Sequence, residues 1–358
     1  MTTFRAEVFV ACCCLASLVQ AETVPTYTLT DLGILPGKVY SYAYDLGRTT
    51  SHVAGMSRGN QSEDIANYLY TPQSGMQEIT IDAPGVRLLA EMVNDRGQVG
   101  LNGYGQGEHH SFIWQNGQVT RVGTVAQGNR LSAINSHGVA VGYQQIGNSS
   151  PFVWDATNGW RSISVFGTPE APLYDINDHG VAVGRYQKGF EYRTYLYDTG
   201  TNQATDLGNF GLPSDAPVFP RAINDHGHIV AHGSGGSYFL EPNRAVDLGS
   251  LSEPSSVYVY DLNNADFAVG AAYGLSGPRG FIWHEDVGMV DLNTRLTAPN
   301  WRLTDMRSIN ELGQIAGIGE LKGIPHAVLL TPVPEPTTIV LIILGGLSLL
   351  FAVWQRRR

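Results

Sequence analysis

A short phrase built around Ile-Asn-x-x-Gly returns along this chain at nearly even intervals, and its period restricts the fold more than any other feature. The clearest copies are Ala133-Ile134-Asn135-Ser136-His137-Gly138, Asp175-Ile176-Asn177-Asp178-His179-Gly180 and Ala222-Ile223-Asn224-Asp225-His226-Gly227. Weaker copies centre on Asn94, Asn263 and Asn310, and a degenerate first copy stands at Leu46-Gly47. Anchors about 44 residues apart in a strand-rich chain mark stacked or radially arranged repeats.

Each repeat holds four strand-sized pieces. One runs into the Asn. A second follows the Gly, as in Val139-Ala140-Val141-Gly142 and Ile315-Ala316-Gly317. The third is aromatic, as in Phe112-Ile113-Trp114, Tyr195-Leu196-Tyr197 and Phe281-Ile282-Trp283, and the fourth ends in Asp206-Leu207-Gly208, Asp247-Leu248-Gly249 or Asp291-Leu292-Asn293. Turn chemistry explains the spacing: the Asn side chain accepts from a backbone donor two residues on, and the Gly takes the positive φ that closes the turn. The last repeat meets Pro332 before any Asp-Leu-Gly strand, and the missing piece occurs at the front, in Tyr27-Thr28-Leu29-Thr30-Asp31-Leu32-Gly33. A first strand that completes the last sheet closes a ring and removes exposed edges. The expectation is therefore an all-β, seven-bladed β-propeller of four-stranded blades closed by an N-terminal strand, over residues 22–331. An open solenoid is the competing arrangement.

The two ends carry addresses. Residues 1–21 have a weakly basic start at Arg5, an apolar stretch and Val19-Gln20-Ala21, the pattern a signal peptidase reads. All three cysteines (Cys12, Cys13, Cys14) lie in this segment, so cleavage after Ala21 leaves no disulfide to stabilise the exported protein. Thr338 to Trp354 is an uncharged apolar run followed by Gln355 and Arg356-Arg357-Arg358. This predicts one C-terminal transmembrane helix, over residues 338–354, with its basic tail cytoplasmic.

Immediately before that run stands Val333-Pro334-Glu335-Pro336. With the apolar segment and Arg356, Arg357 and Arg358, residues 332–358 resemble the PEP-CTERM sorting signal of Gram-negative bacteria. The resemblance implies export across the inner membrane, transient anchoring there, and processing by an exosortase-type enzyme that leaves the protein at the cell surface or outside the cell. The repeat phrases, in their shared order, also resemble the HAF-repeat family of extracellular bacterial proteins, through His110-Ser111-Phe112-Ile113-Trp114 and His326-Ala327-Val328-Leu329. Elsewhere that motif's His is replaced, for instance by Arg193-Thr194 before Tyr195, which argues against a catalytic histidine in every repeat.

The side chains with metal chemistry are His226, His228 and His232, close together in one repeat, and Asp175 and Asn177 in a phrase that faintly resembles a calcium loop. Zinc requires three or four converging ligands, and the calcium pattern ends in a Glu that is Tyr186 here. Turn chemistry accounts for Asp175, Asn177 and His226, with His228 and His232 expected to be exposed, and calcium is the one cofactor the acidic composition accommodates. No G-x-S-x-G elbow occurs, and no triad is assignable from spacing. A net charge of −10 repels phosphate backbones, so nucleic acid is excluded as a partner class. Trp160 and Trp301 are either sugar-stacking surfaces or interblade packing. The function that follows is an exported cell-surface or extracellular-matrix binding or scaffold protein, with exopolysaccharide or another surface protein as partner, and not an enzyme. The alternative is a carbohydrate-processing enzyme with a channel-centred active site.

Overall fold

The computed structural model describes residues 24–334 apart from 125–127, 146, 213–217, 234 and 252–255. The predicted signal peptide, the predicted transmembrane helix and the sorting residues from Glu335 onward lie outside the described residues. Among the described residues, no helix is long and apolar enough to cross a membrane.

Seven four-stranded antiparallel sheets follow one another, each a simple meander. Blade one comprises β2 (Tyr40–Leu46), β3 (Val53–Arg58), β4 (Ile65–Thr71) and β5 (Gly75–Ile79). The inner strands of blades two to six are β6 (Val86–Val93), β10 (Asn129–Ile134), β14 (Leu173–Ile176), β18 (Val218–Ile223) and β22 (Ser256–Leu262). Blade seven has β26 (Trp301–Ile309), β27 (Ile315–Leu321) and β28 (Ile324–Pro332), and its fourth strand is β1 (Tyr27–Gly33). β1 pairs with β28 from Tyr27 opposite Pro332 to Gly33 opposite Ala327. The architecture is thus the seven-bladed propeller the repeat count predicts, closed by its own first strand.

The Asn phrase makes the turn between the first and second strand of blades two to seven. Asn94 Oδ1 accepts from the amides of Arg96 (3.1 Å) and Gln98 (3.0 Å), and Gly97 takes a φ of +70°. In the sixth copy, where no glycine is present, Asp266 adopts the left-handed conformation at +60°, a position that Asp tolerates better than most residues.

Apolar side chains fill the wedges between blades. Val230, Phe239 and Leu248 of blade five pack with Val259, Leu262, Phe281 and Trp283 of blade six. The closing strand serves two wedges. Tyr27 and Leu29 join Val269, Ile282, Leu303 and Val328, whereas Leu32 meets Ala43, Leu46, Tyr68 and Leu329. Trp160 and Trp301 both pack against interblade clusters, which favours the packing role over sugar stacking for these two rings.

Candidate functional site: the mouth of the central channel

The seven inner strands line a central channel, and every one of them is bulged at the same place. Register breaks between Ala43 and Asp45, Ala90 and Met92, Leu131 and Ala133, Leu173 and Asp175, Pro220 and Ala222, Val259 and Asp261, and Met306 and Ser308. A bulge leaves one residue unpaired and re-aims its side chain. The residues so displaced are Tyr44, Glu91, Ser132, Tyr174, Arg221, Tyr260 and Arg307, and all seven line the channel. Each stands three residues before the anchor of its repeat.

Below this ring the channel is closed. Each Asn anchor donates its Nδ2 to the backbone carbonyl of the next blade's anchor, at 2.9 Å from Asn94 to Asn135 and 3.0 Å from Asn135 to Asn177. The relay continues through Asn224, Asn263 and Asn310, which reaches Gly47 at 3.3 Å. Gly47 has no side chain to complete the circle, and Asp95 bridges the gap by accepting from the Thr49 amide and hydroxyl at 2.9 and 2.6 Å. The residues following the anchors form a second relay, in which Ser136, Asp178 and Asp225 donate their amides to Asp178, Asp225 and Asn264 of the next blade.

Arg48 lies inside this second ring, with nitrogens 3.3 Å from Glu311, 3.6 Å from Asp225 and 3.8 Å from Asp178. A side chain that approaches carboxylates of three separate blades must sit near the axis, so it plugs the channel at the turn end. Burial pushes Glu311 up, outweighing the Asn264 amide and the Arg48 charge. Burial also acts on Asp225, but the Asn264 side chain and Arg48 hold that carboxyl below its ordinary value.

Between the two levels stand Asp45, Asp175 and Asp261, each two residues before an anchor. Their carboxylates accept the amides of Val93 (2.7 Å), Ile223 (2.8 Å) and Ile309 (2.8 Å) in the next blade. Burial pushes Asp45 and Asp175 up to about 7 and raises Asp261 as well. Ser308 Oγ lies 3.1 Å from Asp45 Oδ1 and 2.7 Å from Asp261 Oδ2. A hydroxyl has one proton to donate, so both contacts are hydrogen bonds only when one of the two carboxyls carries a proton.

At the mouth, a cavity of about 400 Å³ is walled by the bulge ring together with Arg130, Tyr143 and Pro220. It holds four tyrosines (Tyr44, Tyr143, Tyr174, Tyr260), three arginines (Arg130, Arg221, Arg307) and one acid, Glu91. Arg130 pairs with Glu91 at 3.0 Å. Arg307 binds Asp305 at 2.7 Å and lies 4.4 Å over the Tyr260 ring. Arg221 is exposed and makes no hydrogen bond or ion pair among the described residues. Burial pushes the Tyr44 hydroxyl up to about 12 and raises those of Tyr174 and Tyr260. All three therefore remain protonated donors at neutral pH.

The five residues with metal chemistry serve other partners. His228 contacts Asp266 at 2.8 Å and Glu241 at 3.8 Å, near the turn end of blade five. His226 is exposed beside it, with ring centroids 6.0 Å apart. His232 is four residues further along a strand, about 13 Å at ~3.3 Å per residue, and its ring lies tilted against Tyr258 with centroids 4.6 Å apart. Asn177 uses its oxygen on the Val181 amide and its nitrogen on the Asn224 carbonyl, and Asp175 holds the Ile223 amide. The three histidines do not converge, and among the described residues no group of three His, Cys, Asp or Glu is arranged to hold a metal.

Residues 332–358 match the PEP-CTERM protein-sorting motif. The match spans Val333, Pro334, Glu335, Pro336, Arg356, Arg357 and Arg358. This chain is an exported protein with an exosortase sorting signal. A motif of this class directs membrane-associated processing in Gram-negative bacteria.

No curated protein sequence matches the chain. Among solved structures it is similar to a streptogramin B lyase, with a TM-score of 0.56 and 8% identity over 86% of this chain and 98% of the other. It is also similar to virginiamycin B lyase from Staphylococcus aureus, with a TM-score of 0.55 and 5% identity over 86% and 100%. A third is the β-propeller domain of the trilobed protease from Pyrococcus furiosus, with a TM-score of 0.54 and 9% identity over 82% and 95%. At these identities the likeness carries the fold alone.

Sequence reasoning does not single out the mouth residues. Their signal is positional: in each repeat the third residue before the anchor is polar or aromatic. Only the shared bulge gives that position its meaning.

Proposed function

We propose that this chain is a cell-surface or extracellular-matrix binding protein that holds its ligand at the channel mouth. Exopolysaccharide is the ligand class that best suits a tyrosine-rich rim, and another surface protein is the second. The domain division we adopt is a signal peptide at 1–21, the propeller at 22–331, and at 332–358 a sorting segment with a transmembrane helix at 338–354 that anchors the chain transiently at the inner membrane. The HAF-repeat family of extracellular proteins is the sequence kinship this reading favours.

The observation that carries the reading is the opposite placement of tail and mouth. Pro332 pairs with Tyr27, the Val333 amide donates to Thr26 O at 2.9 Å, and Gly313 of the last Asn turn lies beside Pro332. Both ends of the propeller thus emerge at the plugged, turn face. A protein tethered through its C-terminal segment would present the open mouth away from the membrane. Intact-mass analysis of protein from its native cell tests the processing, and a mass retaining Arg358 would sink it.

A second reading, a carbohydrate-processing enzyme, is favoured by one feature: burial raises the Asp45 and Asp175 carboxyls of the channel to about 7, where general acids work. Their interblade hydrogen bonds account for the same residues structurally. A glycan-binding and hydrolysis screen separates the two. Retention without products supports binding, while turnover abolished by Asp45→Asn in a folded protein supports the enzyme.

A further inference from the structure

We infer that the channel mouth receives the carboxylate of an acidic sugar residue, with Arg221 as its cation and the tyrosine rings of Tyr44, Tyr174 and Tyr260 as the walls around the sugar. This rests on the binding reading above and gives it a ligand class.

The charge pattern is the starting point. The whole chain carries −10, yet the mouth cavity holds three arginines against one glutamate. Two of those arginines already have carboxylate partners, Glu91 for Arg130 and Asp305 for Arg307. Arg221 has none among the described residues, and the bulge of β18 turns it into the cavity. A guanidinium presents a planar fork that matches a carboxylate through two parallel hydrogen bonds. The ligand group this position recognises is therefore a compact anion.

The rest of the wall says what carries the anion. Tyrosines offer an apolar ring face with a polar tip, suited to the alternating C–H and O–H surfaces of a pyranose. Those lining the mouth are half-buried and keep their hydroxyl protons. A nucleic acid would meet an acidic protein outside this small rim. A cationic ligand would meet Arg221 and Arg307.

The channel's depth sets how far the ligand goes. Below the bulge ring come Asp45, Asp175 and Asp261, and then the Arg48 plug among carboxylates. An anion entering from the mouth meets these buried carboxyls and the ion-paired Arg48 beneath them, and no further free cation among the described residues. A well of about 400 Å³ takes the end of a chain or a short branch.

The test is calorimetric titration of the processed protein with a uronic-acid trisaccharide and with a neutral trisaccharide, at low and high salt. The variants are Arg221→Gln and, as a control, Arg302→Gln, an exposed arginine that is paired with Glu320 and does not line the cavity. The expected result is salt-sensitive binding of the acidic sugar, weakened roughly tenfold or more by Arg221→Gln and unchanged by Arg302→Gln. Equal binding of both sugars, unaffected by Arg221→Gln, overturns this inference and leaves the saccharide-binding reading standing. Equal weakening by both variants also overturns it, as unspecific charge attraction. Failure of both sugars to bind a protein with a normal melting transition removes this inference and the saccharide-binding reading together.

Discussion

Asn263 shows how much one side chain does in this fold. Its oxygen accepts from the Ala265 and Phe267 amides, both at 3.1 Å, and its nitrogen donates to the Asn310 carbonyl at 3.1 Å. The residue is buried, so truncation strands backbone groups that water cannot reach. Asn263→Ala is expected to lower unfolding free energy by about 2–4 kcal/mol, measured by urea denaturation; a loss within error of zero would mean the relay is decorative. Asp45 makes a prediction of opposite character. Its folded value of about 7 lies above the unfolded carboxyl value, so the native state binds the proton more tightly. Its contribution to stability is complete below about pH 4 and is lost as pH rises through about 7, by at most ~1.4 kcal/mol for each pH step of one across that window. Asp45→Asn removes that loss. The stability difference between variant and wild type should grow between about pH 4.5 and about pH 7.5; parallel pH profiles would contradict the assignment.

At the scale of the element, the second strand of most blades carries a glycine whose absent side chain is the point. A Cβ on Gly270 would lie 2.1 Å from the Tyr258 carbonyl and 2.7 Å from the Phe281 ring. Gly142 and Gly184 meet the same kind of pair, a backbone carbonyl (Arg130 in the inner strand, Pro172 just before it) and the aromatic ring of the third strand. The Gly and the aromatic of the repeat therefore pack as a pair: the ring covers the backbone where no side chain stands. Gly270→Ala is expected to destabilise by about 1–3 kcal/mol through overpacking, visible as a lowered thermal midpoint. An unchanged midpoint would show that the wedge has room to relax. The bulges are the element's second device. They are not legible in the sequence because a bulge changes no residue type; it shifts a pairing that a regular strand would continue.

Closure belongs to the whole molecule. β1 supplies the outer edge of blade seven and fills two interblade wedges with Tyr27, Leu29 and Leu32. Deleting residues 27–33 leaves β28 as an open edge beside exposed apolar side chains, a template for association. The shortened protein should melt earlier and less cooperatively and should self-associate with concentration in sedimentation experiments. A monomer with an unshifted melt would show that the ring closes without its clasp. The same deletion bears on orientation, since the clasp holds Thr26 against Val333 and so fixes both chain ends to the plugged face.

Blade number, strand number and the closing transfer are written in the sequence, because each depends on turn chemistry and spacing that repeat locally: an Asn and a Gly make the same reversal wherever they occur. The sorting signal is equally legible, being a linear address. The channel is not. Tyr44, Arg221 and Arg307 are far apart in sequence and belong to three different repeats, and nothing local aims them at one cavity. Their meeting is decided by ring closure, which brings position three before the anchor to the axis in every blade, and by the bulge, which turns that residue inward. The pairing of Ser308 with Asp45 and Asp261 across blades seven, one and six, and the seating of Arg48 among other blades' carboxylates, have the same origin. Local physics sets the blade; only the closed circle sets what faces its centre.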